Sequence, residues 1–196
     1  FWRGLDVNES RPGYWEDLRG FVAALRSRGL AWICSQGDVR GIQDRRSFMR
    51  TLGAIATEYP DVFAFTDCGN EAWQTGESDP ANLAQMGRWF REVCSTGVLS
   101  LTSASGEEMA EINSYSIDPA DIFDVHGYRD GTLTDKVRHM LGPVDGGGLR
   151  RYGIQSEPPA IGASVMNKAT EHEMDDEAQG LMAAQALSHR QAYVLM

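Results

Sequence analysis

Two glutamates in this sequence each follow a predicted strand. Glu71 comes with Asn70 soon after the apolar run at residues 62–66, and Glu157 follows the segment at residues 154–156. Two carboxyl groups at one site suit reactions that need one protonated and one ionised acid. Burial or a like charge raises one pKa, while hydrogen-bond donors keep the other group ionised. Glycoside hydrolysis is the main chemistry of such a pair.

Aromatic and imidazole side chains stand at comparable positions. His126 and Tyr128 follow the run at residues 122–125, and Trp73 comes two residues after Glu71. The Trp73 indole could stack on a sugar ring or pack over the top of the fold. His126, with Asp124, could instead ligate a metal in a metal-dependent hydrolase. The residue types leave both alternatives open.

The elements that must position these residues alternate along the chain. Amphipathic spacing predicts helices, and a carboxylate followed by proline at residues 79–80 is typical of a helix start. We predict helices at residues 14–28, 45–58, 80–93, 134–141 and 175–187. Strands are predicted at residues 30–34, 62–66, 98–102, 122–125, 154–156 and 192–196.

Strict alternation of strands and helices predicts an α/β fold with a parallel sheet. The run at residues 62–66 has no helical period, so we expect a strand that is buried on both faces. No GxGxxG or Walker sequence follows the early strands, which counts against a doubly wound sheet. Polar residues at the carboxyl ends of several strands favour a TIM barrel, in which all those ends meet at one mouth.

The barrel is expected to be incomplete. The sequence opens on Phe1 without an initiator methionine and stops at Met196 within a predicted strand. A (β/α)8 barrel needs eight strands. We therefore expect residues 1–196 to run from about the end of the second strand to the eighth, so that the first strand and most of the second are missing. The compartment stays open, although we favour a secreted or virion-associated protein.

Composition excludes several classes of partner. The net charge of −10 repels phosphate groups, so we expect neither nucleic acid nor an anionic membrane surface as a partner. No apolar run approaches the roughly 20 residues that span a bilayer. The three cysteines lack the spacing of a zinc site or a disulfide framework, and we expect buried free thiols.

Three motifs in order resemble one family, the retaining (β/α)8 glycosidases of clan A, which includes cellulases, mannanases and xylosidases. Asn70 and Glu71 resemble the Asn-Glu pair that closes the fourth strand, where the glutamate is the acid/base. His126 and Tyr128 resemble the His-x-Tyr motif after the sixth strand, which lines the sugar site. Glu157 resembles the nucleophile at the end of the seventh strand.

The resemblance implies a retaining β-glycoside hydrolase that acts on an oligo- or polysaccharide by double displacement. Glu71 and Glu157 would be catalytic, while Asn70, His126, Tyr128 and Trp73 would bind the substrate. No metal and no cofactor are expected. The alternative is a non-catalytic carbohydrate-binding TIM barrel within a larger adhesin or virion protein. Both carboxylates are present, which favours the enzyme.

Overall fold

The structure is a computed structural model, and it describes residues 11–37, 39–72, 77–104, 114–125, 152–155 and 192–193. The chain divides into two compact units. The first comprises Phe1–Thr102 with Ile117–Asp121, and the second comprises Ser103–Ser116 with Ile122–Met196. The helices predicted at residues 134–141 and 175–187 lie outside the described residues.

The first unit is a parallel sheet with helices between its strands. Its helices are α1 (Tyr14–Arg26), α2 (Arg45–Glu58) and α3 (Pro80–Arg91), with a 3-10 turn at Val39–Gly41. Its strands are β1 (Trp32–Ser35), β2 (Phe63–Asp67) and β3 (Leu99–Ser100). The strands pair in the order β1-β2-β3, and both pairings are parallel.

The described part of the second unit is a second parallel sheet. Its strands are β4 (Ser103–Ala104), β5 (Ile122–Val125), β6 (Tyr152–Gln155) and β7 (Ala192–Tyr193). They pair in chain order, β4-β5-β6-β7, and all three pairings are parallel. The prediction of an α/β fold built on parallel strands is therefore confirmed.

The strand predicted at residues 98–102 is shorter in the structure: β3 covers Leu99–Ser100, and β4 (Ser103–Ala104) follows it in a different sheet. Only Leu101 and Thr102 separate β3 from β4 along the chain. The Ser100 hydroxyl donates to the carbonyl oxygen of Thr102 at 3.2 Å. Local bonds of this kind compete with the hydrogen bonds of a strand ladder, which accounts for the interruption. The expectation of one continuous strand in one sheet is wrong at this point.

The helix boundaries follow from local chemistry. The Asp44 side chain accepts a hydrogen bond from the Ser47 amide at 2.9 Å, and α2 begins at Arg45, directly after Asp44. Asp79 accepts from the Ala81 amide at 2.9 Å, and Pro80 occupies the first helical position of α3. Gly29 follows α1 with a φ of +66°, the left-handed conformation that ends many helices. The predicted starts of α2 and α3 are confirmed, whereas α1 ends at Arg26, two residues before the predicted end at residue 28.

Successive helices pack side by side in one layer, called here the helix layer. Tyr14 and Trp15 of α1 contact the Phe48 ring of α2, with ring centroids 6.4 and 5.1 Å apart. A Cβ atom on Gly53 of α2 would lie 2.8 Å from the Phe90 carbonyl oxygen of α3. Glycine at position 53 therefore permits a close approach of the two helices.

Burial of β2 differs from the prediction. Phe65, Thr66 and Asp67 are buried, whereas Phe63 is half-buried and Ala64 is exposed. The reason lies in the pairing. Among the described residues, β3 pairs only with Thr66 and Asp67, so the amino half of β2 is paired on one side alone. Only the carboxyl half of β2 is therefore buried on both faces, as was predicted for the whole strand.

Two further predictions concern the cysteines and the membrane. Cys34, Cys68 and Cys94 are all buried free thiols, as expected. Within the part of the chain that the structure describes, no helix is both long and apolar enough to cross a membrane.

Candidate functional site

Polar side chains form a row where β1, β2 and β3 end, a region called here the carboxyl edge. Ser35 pairs with Asp67, and Asp67 pairs with Ser100. Register partners in a parallel sheet project their side chains from the same face. Asp67 and Ser100 are fully buried, and the exposed Ser35 hydroxyl donates to Asp67 Oδ2 at 3.1 Å. Burying a carboxylate is costly, and the carboxyl ends of parallel strands are where α/β proteins bind ligands.

The segment that follows β2 is tied back to both neighbouring strands. The Cys68 amide donates to the Ser100 carbonyl oxygen at 3.1 Å. The Asn70 amide donates to the Gln36 carbonyl oxygen at 2.5 Å, and the Ser35 hydroxyl lies 3.5 Å from Asn70 Oδ1. Asn70 is thus held against the end of β1.

Glu71 has a left-handed backbone, with a φ of +42°. Among the residues that the structure describes, it is the one non-glycine residue with a positive φ. Such a conformation costs about 1–3 kcal/mol and persists only where the surroundings impose it, which is common at functional sites. Glu71 is half-buried, so part of the residue is exposed to solvent.

Ala72, the next residue, is held through both of its peptide groups. Its amide donates to Thr102 Oγ1 at 3.0 Å, and its carbonyl oxygen accepts from the Glu77 amide at 3.0 Å. Thr102 is buried, with 1% of its surface exposed. Asn70 is therefore anchored at the end of β1, and Ala72 is anchored to Thr102. These two residues flank Glu71.

Glu77 places a second buried carboxylate beside the same segment. Arg45 Nη1 lies 2.5 Å from Glu77 Oε2, and Asn82 Nδ2 donates to Oε1 at 3.1 Å. Arg45 also donates through Nε to the Val39 carbonyl oxygen at 3.2 Å. Both oxygens of the Glu77 carboxylate are therefore occupied.

Two buried thiols beside Asp67 are held in the protonated form. Burial raises the pKa of Cys34 to about 12; the hydrogen bond from Gln36 opposes this shift, and the negative charge of Asp67 adds to it. Burial and then the charge of Asp67 likewise raise the pKa of Cys68, with Arg91 acting in the opposite direction. A thiol nucleophile requires the thiolate, so neither cysteine is suited to nucleophilic catalysis at neutral pH.

The structure places two of the predicted site residues. Asn70 and Glu71 are adjacent at the carboxyl edge, directly after β2. Four predicted site residues lie outside the described residues: Trp73, His126, Tyr128 and Glu157. The separation of Glu71 and Glu157 stays a prediction. Asp124 is buried, and the described residues contain no cluster of His, Cys, Asp and Glu that could hold a metal ion.

Several residues that build the site were not predicted from the sequence. They are Ser35, Gln36, Asp67, Glu77 and Thr102. Asp67 offered a signal, because an acidic residue directly after an apolar run is costly to bury. The others acquire their roles through partners about thirty residues away in the chain, as in the pairs Ser35–Asp67 and Arg45–Glu77.

Comparisons with models of protein families, with curated proteins and with solved structures found no match.

Proposed function

We propose that this chain is most of a (β/α)8 barrel from a retaining β-glycoside hydrolase, with Glu71 as acid/base and Glu157 as nucleophile. One observation carries the proposal. Glu71 and Asn70 stand together at the carboxyl end of a parallel strand, and Glu71 is held between anchored neighbours in a strained conformation. An acid/base must be accessible and fixed, and Glu71 meets both requirements.

Strand order supports a barrel over a doubly wound sheet. Within each of the two sheets, every described strand pairs with the strand that comes next in the chain. All of these pairings are parallel. A doubly wound sheet reverses its order at one point and places helices on both faces. In the described part of the first unit, α1, α2 and α3 form one helix layer, which fits a barrel wound in one direction. In the proposed barrel β1 is the third strand, β2 the fourth and β7 the eighth.

The proposed reaction proceeds by double displacement. In the first step the Glu157 carboxylate attacks the anomeric carbon, the glycosidic C–O bond breaks, and Glu71 donates its proton to the departing oxygen. In the second step Glu71 takes a proton from water, the water oxygen attacks the anomeric carbon, and the bond to Glu157 breaks. The sugar is released with its configuration retained, and both glutamates return to their starting states.

The remaining predicted residues bind the saccharide. Asn70 would hydrogen-bond the sugar 2-hydroxyl, His126 and Tyr128 would line the sugar site and orient Glu157, and Trp73 would stack on a ring. Ser35 supports the role of Asn70, because its hydroxyl lies between the Asp67 carboxylate and the Asn70 amide oxygen. The two catalytic carboxyl groups should lie about 5–5.5 Å apart, the separation typical of retaining enzymes.

The test is turnover of aryl β-glycosides by the full-length protein, with leaving groups that range from phenol to dinitrophenol. Glu157→Ala should abolish turnover, because no glycosyl-enzyme can form. Glu71→Ala should lower kcat/KM, which reports the first step, about 10²- to 10⁴-fold for phenol and much less for dinitrophenol, which needs little protonation. Glu58→Ala, at the exposed end of α2, is the control.

Two outcomes would contradict the proposal. If Glu71→Ala lowered kcat/KM by the same factor for all leaving groups, Glu71 would not be the acid. Tight saccharide binding without turnover in the wild-type protein would indicate the non-catalytic carbohydrate-binding module instead.

A further inference from the structure

Glu77 carries a buried negative charge for which the proposed reaction has no use. It is 9% exposed, and Arg45 and Asn82 occupy its two carboxylate oxygens. Arg45 is the first residue of α2, and Asn82 lies in the first turn of α3. The carboxylate is therefore held by one side chain from the first turn of each helix. This arrangement, called here the Glu77 clamp, joins two helices that follow different strands.

The clamp is connected to Glu71 through the backbone. The Glu77 amide donates to the Ala72 carbonyl oxygen at 3.0 Å, and the Ala72 amide donates to Thr102 Oγ1 at 3.0 Å. Ala72 follows Glu71 directly, so its two peptide groups determine where the Glu71 backbone can lie. A glutamate without such restraint would leave a φ of +42° for a less costly conformation.

We propose that Glu77 is a positioning residue, which through Arg45 and Asn82 holds Glu71 in its left-handed conformation and so directs the Glu71 carboxyl group towards the glycosidic oxygen. The inference rests on the proposed function, because it takes Glu71 to be the acid/base. It adds a residue that does not touch the substrate and that no catalytic motif contains.

Loss of the clamp should slow the proton transfer from Glu71 to the leaving group more than it changes the other contributions to catalysis. A displacement of about 1 Å in a catalytic group can cost about 10²-fold in rate. Since Glu71 donates a proton to the leaving group, the loss should depend on how much the leaving group needs that proton. Substrate affinity should change little, because the clamp residues do not bind the sugar.

The first experiment compares Glu77→Gln and Arg45→Met with Glu92→Gln in the full-length protein. Glu92 forms exposed ion pairs with Arg46 and Arg50 and has no hydrogen bond to the Glu71 segment in the described contacts, so Glu92→Gln is the matched control. Both clamp variants should lower kcat/KM, which reports the step in which Glu71 acts as an acid, at least about tenfold for phenyl glycosides and about threefold or less for dinitrophenyl glycosides. Arg45→Lys, which keeps the charge, should restore part of the phenyl glycoside activity.

The second experiment measures hydrogen exchange and requires no activity. The amides of Ala72 and Glu77 both donate hydrogen bonds and both lie in the segment that the clamp restrains. A peptide that covers residues 68–78 should therefore exchange faster in Glu77→Gln. Glu92→Gln should leave its exchange unchanged. Peptides from α2 and α3 report whether the variant is folded, and Arg45→Met replaces Glu77→Gln if it is not.

The two experiments separate the clamp from the enzyme. Unchanged exchange at residues 68–78 in the folded clamp variants would overturn the clamp, whether or not the protein is a glycosidase. Faster exchange with equal kcat/KM losses for both leaving groups would overturn the positioning role while leaving the glycosidase intact. A wild-type protein without turnover would refute the proposed function and, with it, the catalytic role of Glu77. Faster exchange with a leaving-group-dependent loss supports the inference.

Discussion

The carboxyl edge and the helix layer of the first unit place charge in opposite ways. At the carboxyl edge, Asp67 and Glu77 are buried and depend on protein partners for their hydrogen bonds. Within α2 and α3 the buried side chains are apolar, among them Leu52, Ile55, Leu83, Met86 and Phe90. Buried apolar groups stabilise a fold, whereas buried carboxylates cost free energy unless they are well partnered. The difference is the one expected if the helix layer serves stability and the carboxyl edge serves the proposed reaction.

Two adjacent arginines in α2 show the same contrast at the scale of single residues. Arg45 pairs with the buried Glu77, and its own side chain is 26% exposed. Arg46 pairs with Glu92 at 3.4 Å, and its side chain is 61% exposed. Exposed ion pairs contribute little to stability, while a pair at a buried carboxylate cannot be broken without leaving a charge unsatisfied. Both residues are arginines and they are adjacent in the same helix, so only their tertiary partners distinguish them.

The largest effect on stability is expected in the helix layer. Phe90 is fully buried, and Phe90→Ala should lower the free energy of unfolding by about 3–5 kcal/mol. Urea unfolding at neutral pH measures this loss, with Trp89→Ala at the half-buried neighbouring position as the milder control. In the folded fraction the ratio of kcat values for phenyl and dinitrophenyl glycosides should equal that of the wild-type protein. A changed ratio would mean that the helix layer takes part in the chemistry.

A pair of glycine substitutions tests how closely the helix layer is packed. A Cβ atom at position 53 would lie 2.8 Å from the backbone oxygen of Phe90, which cannot move aside as a side chain would. Gly53→Ala should therefore destabilise the fold by about 1–3 kcal/mol. Gly20 in α1 has nothing within 4 Å of that position, so Gly20→Ala should stabilise by about 0.5–1 kcal/mol. Thermal unfolding of both variants measures the difference, and equal shifts would contradict the close approach of α2 and α3.

The buried thiols at the carboxyl edge predict loss of stability in alkali. The pKa of Cys34 is about 12 in the fold, against 9.0 for an unperturbed thiol. The folded state therefore keeps the proton that the unfolded chain releases, and stability that is fully present below pH 9 is lost as the pH rises towards 12. Each such thiol contributes up to about 1.4 kcal/mol per pH unit in this window.

Urea unfolding between about pH 8 and 10.5 measures this dependence, in a window set by the linkage between protonation and folding. Cys34→Ala should give a flatter curve than the wild-type protein, because one of the titrating thiols is gone. Parallel curves for the two proteins would show that Cys34 is not held protonated by burial.

Much of the first unit could be predicted from local sequence. The bounds of α2 follow from Asp44 and from an apolar stripe of helical period, and α3 begins where Asp79 and Pro80 indicate. Local signals suffice there because caps and amphipathic faces are set by residues a few positions apart. The position of Asn70 and Glu71 after a strand was predictable for the same reason.

The rest of the site depends on contacts that local patterns do not encode. The Arg45–Glu77 pair and the Ala72–Thr102 hydrogen bond each join residues about thirty positions apart. The left-handed conformation of Glu71 results from those contacts, since nothing in Asn-Glu-Ala favours a positive φ. The half-exposed start of β2 likewise reflects which strand pairs with it, rather than the composition of its own run.

The central claim, that Glu71 is the acid/base of a retaining glycosidase, is tested most directly by azide rescue. In the full-length protein, Glu71→Ala still forms the glycosyl-enzyme from a dinitrophenyl β-glycoside, but no base activates the water that should release it. Azide needs no base and should attack that intermediate, which raises turnover and yields the β-glycosyl azide. NMR of the product identifies its anomeric configuration. An α-glycosyl azide would show that Glu71 is the nucleophile, and absence of rescue in a variant that still releases dinitrophenol would contradict its role as acid/base.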